Sequence, residues 1–233
     1  MKVLVACEES QTVCKAFREK GHEAYSCDII ECSGGHPEWH VKGDVLEVLN
    51  PSLYSFGMGE DVPEWYGIVF KTVDGKNHYI DGCWDLIIAH PPCTYLSNAG
   101  ARHLWKNHVL NEERYHQGLA AKQFFMALYN ADCEKICVEN PTPSKIYNLP
   151  KHTQTIQPWQ FGHPYTKRTN LWLKGLTELK ATETVEPVAT WCPSGSYSHR
   201  HGEKHKGMFT TDRARNRSKT FPGVAKAMAE QWG

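Results

Sequence analysis

The first apolar positions of the chain predict a strand, a helix and a second strand. The runs "KVLVAC" (2–7) and "EAYSCDI" (23–29) have strand length and are almost continuously apolar, which is typical of strands buried on both faces. Three apolar positions between them share one helical face: Val13, Ala16 and Phe17. Ser10 precedes this segment as a capping residue and Gly21 ends it. The second strand ends on an acid, Asp28.

The next segment follows a different pattern. "GIVFKTVDGKNHYIDG" (67–82) alternates around Asp74 and Gly75, a dipeptide typical of hairpin turns. We interpret residues 51–82 as an insertion that lies outside the main sheet. The apolar run "WDLIIA" (84–89) then predicts a central strand.

The remaining pattern returns to alternating helices and strands. Residues 111–130 have apolar side chains at helical spacing, "KICVENP" (135–141) predicts a strand, and residues 168–176 predict another. Residues 177–220 are polar with little periodicity, and 223–232 predict a closing helix. This succession predicts an α/β fold with a mostly parallel central sheet.

Composition places the chain among ordinary globular proteins. It has 233 residues, 40% of them hydrophobic, and a formal net charge of +0, so it can bury a sizeable core and is most simply one domain. No run approaches the ~20 apolar residues that cross a bilayer, and we expect no membrane partner. Its nine cysteines are scattered through predicted strands and helices, which favours a reducing compartment. We expect a cytoplasmic monomer from a prokaryotic or phage-infected cell.

Charge is unevenly distributed along the chain. Residues 199–220 hold seven basic residues against two acids: Arg200, Lys204, Lys206, Arg213, Arg215, Arg217 and Lys219. Such a stretch can bind phosphates without reading sequence, or can be a solvated surface loop. Cys192 and the nearby histidines match no common zinc spacing, and we expect no metal site.

Two strand ends carry candidate chemistry. In "AHPPCTYLSNAG" (89–100) two prolines end the strand and hold Cys93 on a stiff loop. Glu139, in "VENP", ends the following strand. Ligands of open α/β sheets bind at the carboxyl ends of strands, and a thiolate with a carboxylate nearby suits nucleophilic catalysis. Taken singly, Cys93 can also be a small buried side chain and Glu139 a capping or ion-pairing acid.

Together these motifs resemble those of the DNA cytosine-5 methyltransferases. "PPCTYLSNAG" resembles that family's nucleophile loop at six positions: Pro91, Pro92, Cys93, Ser97, Ala99 and Gly100. Glu139 and Asn140 match its Glu-Asn motif. "YTKRTNLWL" resembles its basic motif, with Arg168 as the best match and Lys167 as its neighbour. The resemblance covers most of 1–175 and, weakly, the closing helix at 221–232, and it implies a small, phage-like member of the family.

The resemblance implies a Rossmann-like S-adenosylmethionine-dependent methyltransferase fold and a covalent mechanism. Cys93 would attack carbon 6 of cytosine while Glu139 holds the ring and protonates nitrogen 3. Arg168 would support the thiolate or the base carbonyl, and nearby positive charge should favour the thiolate. The cytosine would be flipped out of duplex DNA. Further substrate contacts are expected from seven residues: Pro92, Ser97, Asn140, Lys167, Arg200, Arg215 and Arg217.

The resemblance also implies a cofactor site for S-adenosylmethionine. Five residues are expected to form it: Glu8, Asp28, Ile29, Asp44 and Pro91. Asp28 would hold the ribose hydroxyls, Asp44 the adenine amino group, and Glu8 or Glu9 would lie near the cofactor's amino group. The family's glycine-rich first loop is replaced here by "ACEESQTVC" (6–14), which has no glycine. Weak or altered cofactor use is therefore an open alternative.

The organisation predicted from the sequence has three parts. Residues 1–176 form the catalytic core with its insertion, 177–220 a minimal recognition region, and 221–233 a helix that completes the core. The family usually carries a large target-recognition domain where only 177–220 is available. A methyltransferase acting on RNA or a free cytosine nucleotide, and a non-catalytic nucleic-acid-binding relative, remain as alternatives.

Overall fold

The computed structural model describes residues 1–55, 64–101, 103–192, 207–208 and 213–233, with 207–208 and 213–215 described by their backbone alone. Its helices and strands follow in chain order: β1 (Lys2–Ala6), α1 (Thr12–Glu19), β2 (Glu23–Asp28), β3 (His40–Lys42), β4 (Ser52–Ser55), β5 (Glu64–Lys71), β6 (Asn77–Asp81), β7 (Leu86–Ala89), α2 (Asn98–Ala101), β8 (Trp105–Lys106), β9 (Val109–Leu110), α3 (Glu112–Tyr129), β10 (Ile136–Asn140), β11 (Gln154–Ile156), β12 (Tyr165–Thr166), β13 (Thr169–Lys174), β14 (Ala189–Trp191), β15 (Gly207–Met208), α4 (Arg213–Ser218) and α5 (Pro222–Trp232).

The main sheet contains seven of the described strands, in the order β11-β13-β10-β7-β1-β2-β3. The five strands from β10 to β3 pair in parallel. Strand β13 is antiparallel to both of its neighbours, β10 and β11. The protein is therefore α/β with a mostly parallel sheet, an arrangement compatible with a Rossmann-like fold.

Helices cover both faces of this sheet, which explains the continuous apolar runs of its strands. In β1, Val3 and Val5 pack into a core with α1 and α5, whereas Leu4 and Ala6 face a second core that contains residues of α3. Helix α5 buries six side chains in the first core: Val224, Ala225, Ala227, Met228, Ala229 and Trp232. Helix α5 therefore covers part of one face of the main sheet.

The strand order reverses between β1 and β7. The chain builds outward from β1 through β2 to β3, then returns to the other side of β1 with β7 and continues to β10. At such a switch point the connections leave in opposite directions, and a crevice opens outside the carboxyl ends of the two central strands. The two candidate strand ends at Cys93 and Glu139 belong to β7 and its neighbour β10, beside this crevice.

The inserted segment forms a separate antiparallel sheet, β4-β5-β6. The hairpin predicted at Asp74 and Gly75 is present between β5 and β6, whereas β4 was not predicted. Ile68 and Ile80 are buried in the same core as α3, so the insertion packs against one face of the main sheet.

The polar segment after residue 176 contains more structure than its pattern predicted. Strand β14 joins β12 and β15 in a short parallel sheet, and α4 precedes the closing helix. In the described ranges no helix is both long and apolar enough to cross a membrane.

Candidate active site

A cavity of about 1100 Å³ lies at the carboxyl ends of the parallel strands. Residues following β1, β2, β7 and β10 line it, and α4 and the segment before β13 complete the wall. Small-molecule sites usually occupy ~300–1000 Å³, so this space suits one large ligand or two smaller ones. Cys93 and Glu139, which the sequence predicted together, both line it.

The loop that carries Cys93 is fixed from two sides. Pro91 is buried and lines the cavity, Pro92 is exposed, and Cys93 is half-buried. From α3, the Arg114 guanidinium donates hydrogen bonds to the carbonyl oxygens of Thr94 at 3.3 Å and Gly100 at 3.2 Å. These bonds tie both ends of the loop to one helix and hold Cys93 at the cavity wall.

Ser97 and Asn140 act mainly within the protein. The Ser97 hydroxyl accepts the Gly100 amide at 3.2 Å at the start of α2, although Ser97 also lines the cavity. The Asn140 side chain is buried and donates to the Pro91 carbonyl at 3.3 Å, which links the end of β10 to the loop that carries Cys93. The structure therefore places Asn140 behind the loop rather than among the cavity-lining residues.

Glu139 forms a buried pair with His90. The His90 Nδ1 lies 2.8 Å from the Glu139 Oε2, and the two side chains are 8% and 12% exposed. Burial alone raises the pKa of Glu139, but the charge of Lys167, the bond and charge of His90 and a hydrogen bond from Thr220 lower it well below its usual range. Glu139 is therefore an ionised carboxylate held by cations and donors.

Lys167 is the basic residue whose charge lowers the pKa of Glu139 most. Its Nζ donates to the Lys219 carbonyl at 3.1 Å. Burial lowers the pKa of Lys167, and the charge of Glu139 opposes that shift. Arg168 also lines the cavity but is exposed, and the largest causes of the pKa shifts of Glu139 and Cys93 include Lys167 and not Arg168.

The environment of Cys93 contains the predicted positive charge, but its net effect on the pKa favours the thiol. Burial raises the pKa of Cys93, and Glu139 adds to that shift, while the charges of Arg217 and Lys167 oppose it. Arg217 is held by a bond from its Nη1 to the Cys192 carbonyl at 2.8 Å. The site thus contains cations that favour the thiolate, but burial outweighs them.

The glycine-free first loop is shaped by left-handed residues and by a neighbouring loop. Cys7 and Gln11 have φ of 59° and 57°, the region that usually favours glycine. The Gln11 amide group bonds to both backbone groups of His36, and a Cβ on Gly34 would lie 2.5 Å from the Gln11 Cβ. Gly34 therefore allows the loop between β2 and β3 to pack closely against Gln11.

Glu8 has a structural role in that first loop. Its carboxylate accepts the amides of Val13 at 2.6 Å and Cys14 at 3.1 Å at the start of α1. The Ser10 hydroxyl accepts the Thr12 amide at 3.5 Å, but the N-cap residue is Gln11, and Glu8 accepts the next two first-turn amides. Glu8 also lines the cavity, but both of its oxygens already accept hydrogen bonds.

The other predicted cofactor residues are only partly brought together. Asp28 is half-buried, lines the cavity, and burial raises its pKa. Ile29 is 74% exposed, and its neighbour Ile30 takes the place at the cavity wall. Asp44 is exposed and accepts the Leu46 amide at 3.0 Å; the cavity-lining residues do not include it.

The cavity is electrically divided. Glu8, Glu9 and Asp28 line the part formed by β1 and β2, whereas Lys167 and Arg217 line the part formed by β13 and α4. Cys93 is carried by β7, which lies between these two groups of strands in the sheet. Of the predicted phosphate contacts, Arg200 and the Arg215 side chain lie outside the described residues, as do the histidines near Cys192.

Sequence reasoning gave no role to three residues that line this cavity: His90, Arg114 and Thr220. His90 directly precedes the two prolines, and that position was the available signal. Thr220 and Arg114 lie far along the chain, and nothing in the local pattern marks them.

Comparison of the sequence with protein-family models and with curated proteins finds no match. The fold and the cavity show the class of protein without these comparisons. It is an α/β protein with a charged cleft at the carboxyl ends of a mostly parallel sheet. The likeness to a methyltransferase family depends on the motifs around Cys93 and Glu139.

Proposed function

We propose that the protein is an S-adenosylmethionine-dependent DNA cytosine-5 methyltransferase in which Cys93 is the nucleophile. The observation that carries the proposal is that Cys93, after β7, and Glu139, on the neighbouring parallel strand β10, line one cavity with the half-buried Lys167. A thiol and an ionised carboxylate in one cleft suit covalent activation of an electron-poor ring. A protein that only bound nucleic acid would not need both groups.

The acidic half of the cavity fits the cofactor. S-adenosylmethionine supplies a methyl group carried on a positively charged sulfonium. Carboxylates attract such a cation, and Glu9 and Asp28 line this half with Pro91. Asp28, at the end of β2, is placed for ribose hydroxyls. Glu8 also lines this half, and its oxygens accept bonds from α1.

The residues around Cys93 account for the activation of cytosine. Cys93 would add to carbon 6 once its proton has left, and the positive charges of Arg217 and Lys167 would stabilise the thiolate. Glu139 would hold the ring edge and bear the proton that reaches nitrogen 3. Because burial keeps Cys93 protonated otherwise, the arrangement limits reaction of the thiol with other electrophiles.

The basic half of the cavity supports a nucleic-acid substrate. Lys167, Arg168 and Arg217 line the wall, where phosphate groups flanking a flipped base would find countercharge. The described part of residues 177–220 forms only a short sheet and a helix. The small size of this region favours short or relaxed sequence recognition, and it also keeps RNA and free cytosine nucleotides as substrates to be tested.

The experiment is methyl transfer from labelled S-adenosylmethionine to duplex DNA, single-stranded DNA, RNA and free cytosine nucleotides, with nucleoside mass analysis of the products. Cys93→Ser is compared with Cys83→Ser, which alters a cysteine that does not line the cavity. We expect 5-methylcytosine from the wild type and from Cys83→Ser, and none from Cys93→Ser. Label that enters another nucleoside, or an active Cys93→Ser variant, contradicts the proposal. Transfer to RNA or free nucleotide alone would move the activity to that substrate.

A further inference from the structure

His90 is the buried group at this site that the covalent mechanism leaves unassigned. It directly follows β7, its backbone amide donates to the Ala6 carbonyl at 2.9 Å, and its ring reaches the end of β10. The position is therefore fixed by two neighbouring strands, β1 and β10, at the switch point of the sheet. A residue so placed has little freedom to move away from Glu139.

The charges around the imidazole favour its protonated form. Burial by itself lowers the pKa of His90, but the hydrogen bond and charge of Glu139, together with the charge of Glu8, raise it above its ordinary value. Lys167 opposes this effect. The ring thus has carboxylates after β1 and on β10, and a cation before β13. Its Nε2 is buried and has no hydrogen-bond partner among the described residues.

We propose that His90 is the proton source for Glu139: a positioning residue that passes a proton through the Nδ1–Oε2 hydrogen bond when Cys93 attacks cytosine. This inference rests on the proposed function. Glu139 is deprotonated at rest, so it cannot itself protonate nitrogen 3 without a donor behind it. His90, 2.8 Å away, is the donor with a direct hydrogen bond to the carboxylate.

The proton balance is as follows. The Cys93 thiol first loses its proton to solvent, and the thiolate forms the Sγ–C6 bond. The C5=C6 electron pair moves to C4=C5, and the C4=N3 pair moves to nitrogen 3. The Nδ1 proton of His90 moves to Oε2 and Glu139 passes it on to nitrogen 3, which leaves neutral His90 and an ionised Glu139. Once carbon 5 has received the methyl group, the nitrogen 3 proton returns along the same path as C4=N3 re-forms. The carbon 5 proton then leaves to solvent, its electron pair re-forms C5=C6, and the C6–Sγ bond breaks to release the thiolate, which regains a proton from solvent.

The first test measures protonation directly, without any substrate. In protein labelled at histidine, the His90 resonance is identified by its loss in His90→Asn and followed against pH by NMR. We expect a midpoint above the ordinary value of ~6.5 in the wild type, and a lower midpoint in Glu139→Gln. A wild-type midpoint at or below the ordinary value, or one unchanged in Glu139→Gln, overturns the proposal.

The second test measures covalent adduct formation on DNA that contains 5-fluorocytosine, whose fluorine blocks elimination. His90→Asn keeps a polar side chain beside Glu139 but cannot titrate, and His116→Asn changes an exposed histidine of α3 as a control. Proton transfer by a positioned group contributes about a hundredfold or more. We expect the rate of adduct formation to fall by that factor in His90→Asn, while DNA affinity is unchanged. In the wild type this rate should also fall at alkaline pH as His90 loses its proton, and this fall should be absent in His90→Asn.

The outcomes separate the two proposals. A wild-type rate and pH profile in His90→Asn overturns the proton-source role and leaves the methyltransferase proposal standing. If wild-type protein forms neither adduct nor 5-methylcytosine on any substrate, the proposed function and the proton-source role both fall. An NMR midpoint that depends on Glu139 would then identify a structural ion pair.

Discussion

Lys167 and Arg168 are adjacent in the sequence but differ in their relation to Glu139. The Lys167 ammonium group and the Glu139 carboxylate influence each other's pKa, and Lys167 also acts on Cys93. Arg168 is exposed at the cavity wall. Both residues line the cavity, but Lys167 is half-buried, and its charge lowers the pKa of Glu139 more than that of any other basic residue.

This difference predicts unequal effects of removing the two charges. Lys167→Met should lower the rate of covalent adduct formation about a hundredfold, a typical loss for a positioned electrostatic group, because Glu139 and the Cys93 thiolate both lose a cation. Arg168→Met should change this rate less than about threefold and act mainly on DNA affinity. Adduct yield and DNA binding are measured in parallel. Equal losses in the two variants would contradict the assignment of Lys167.

At the scale of the element, the loop from Cys93 to α2 depends on a close backbone approach at Gly100. A Cβ at this position would collide with the Thr94 carbonyl oxygen, the same oxygen that accepts a bond from Arg114. The glycine of the Ala-Gly pair in the sequence is therefore required for steric reasons. Gly100 lets the loop fold back on itself and so fixes the direction of Cys93.

We therefore expect Gly100→Ala to displace the nucleophile while the sheet remains folded. Overpacking costs about 1–3 kcal/mol, less than the stability of a typical domain. Urea unfolding should show this loss, and adduct formation should fall more than tenfold. Gly43→Ala is the matched control, since its Cβ would meet only the Glu47 Oε2 at 4.0 Å. Unchanged adduct formation in Gly100→Ala would show that the loop does not position Cys93.

The elements differ in how far the sequence predicted them. Four strands are buried on both faces and were predicted from their continuous apolar runs: β1, β2, β7 and β10. The acids at the ends of these strands indicated where the candidate site lies. The antiparallel β13 was predicted as a strand, but its place between β10 and β11 was not, because periodicity does not encode a strand's partner. Helix α1 was predicted with Ser10 as its only capping group, and Glu8 was not predicted to cap it, because Glu8 reaches the first-turn amides through a left-handed turn.

At the scale of the whole molecule, a net charge of +0 conceals a separation of charge. Carboxylates gather where β1 and β2 end and cations where β13 and α4 meet the cavity. Field lines are concentrated in such a cleft, so a cationic cofactor and an anionic substrate would each be drawn to a different side of Cys93. Composition alone could not predict this, because the two groups come from opposite halves of the chain.

The same separation predicts how stability depends on pH. The pKa of Glu139 is lowered in the folded protein, so its contribution is present above its ordinary pKa of about 4.3 and is lost in acid. The pKa of His90 is raised, so its contribution is present below about 6.5 and is lost as the pH rises through the raised value. The ion pair therefore stabilises the fold most between about pH 4.5 and 6.5.

Glu139→Gln tests this dependence on the intact chain. Removing one partner of a buried pair typically costs about 3–5 kcal/mol, and we expect a cost of that size in the free energy of unfolding at about pH 5.5. At a pH above the raised pKa of His90, taken from its titration, the cost should be smaller, because His90 is then neutral in both proteins and only Lys167 still lacks its partner. The exposed Glu134→Gln is the control and should change stability by less than about 0.5 kcal/mol at either pH. If Glu139→Gln cost the same at both pH values, His90 would not be charged in the folded protein, and the carboxylate would owe its ionisation to Lys167 and Thr220 alone.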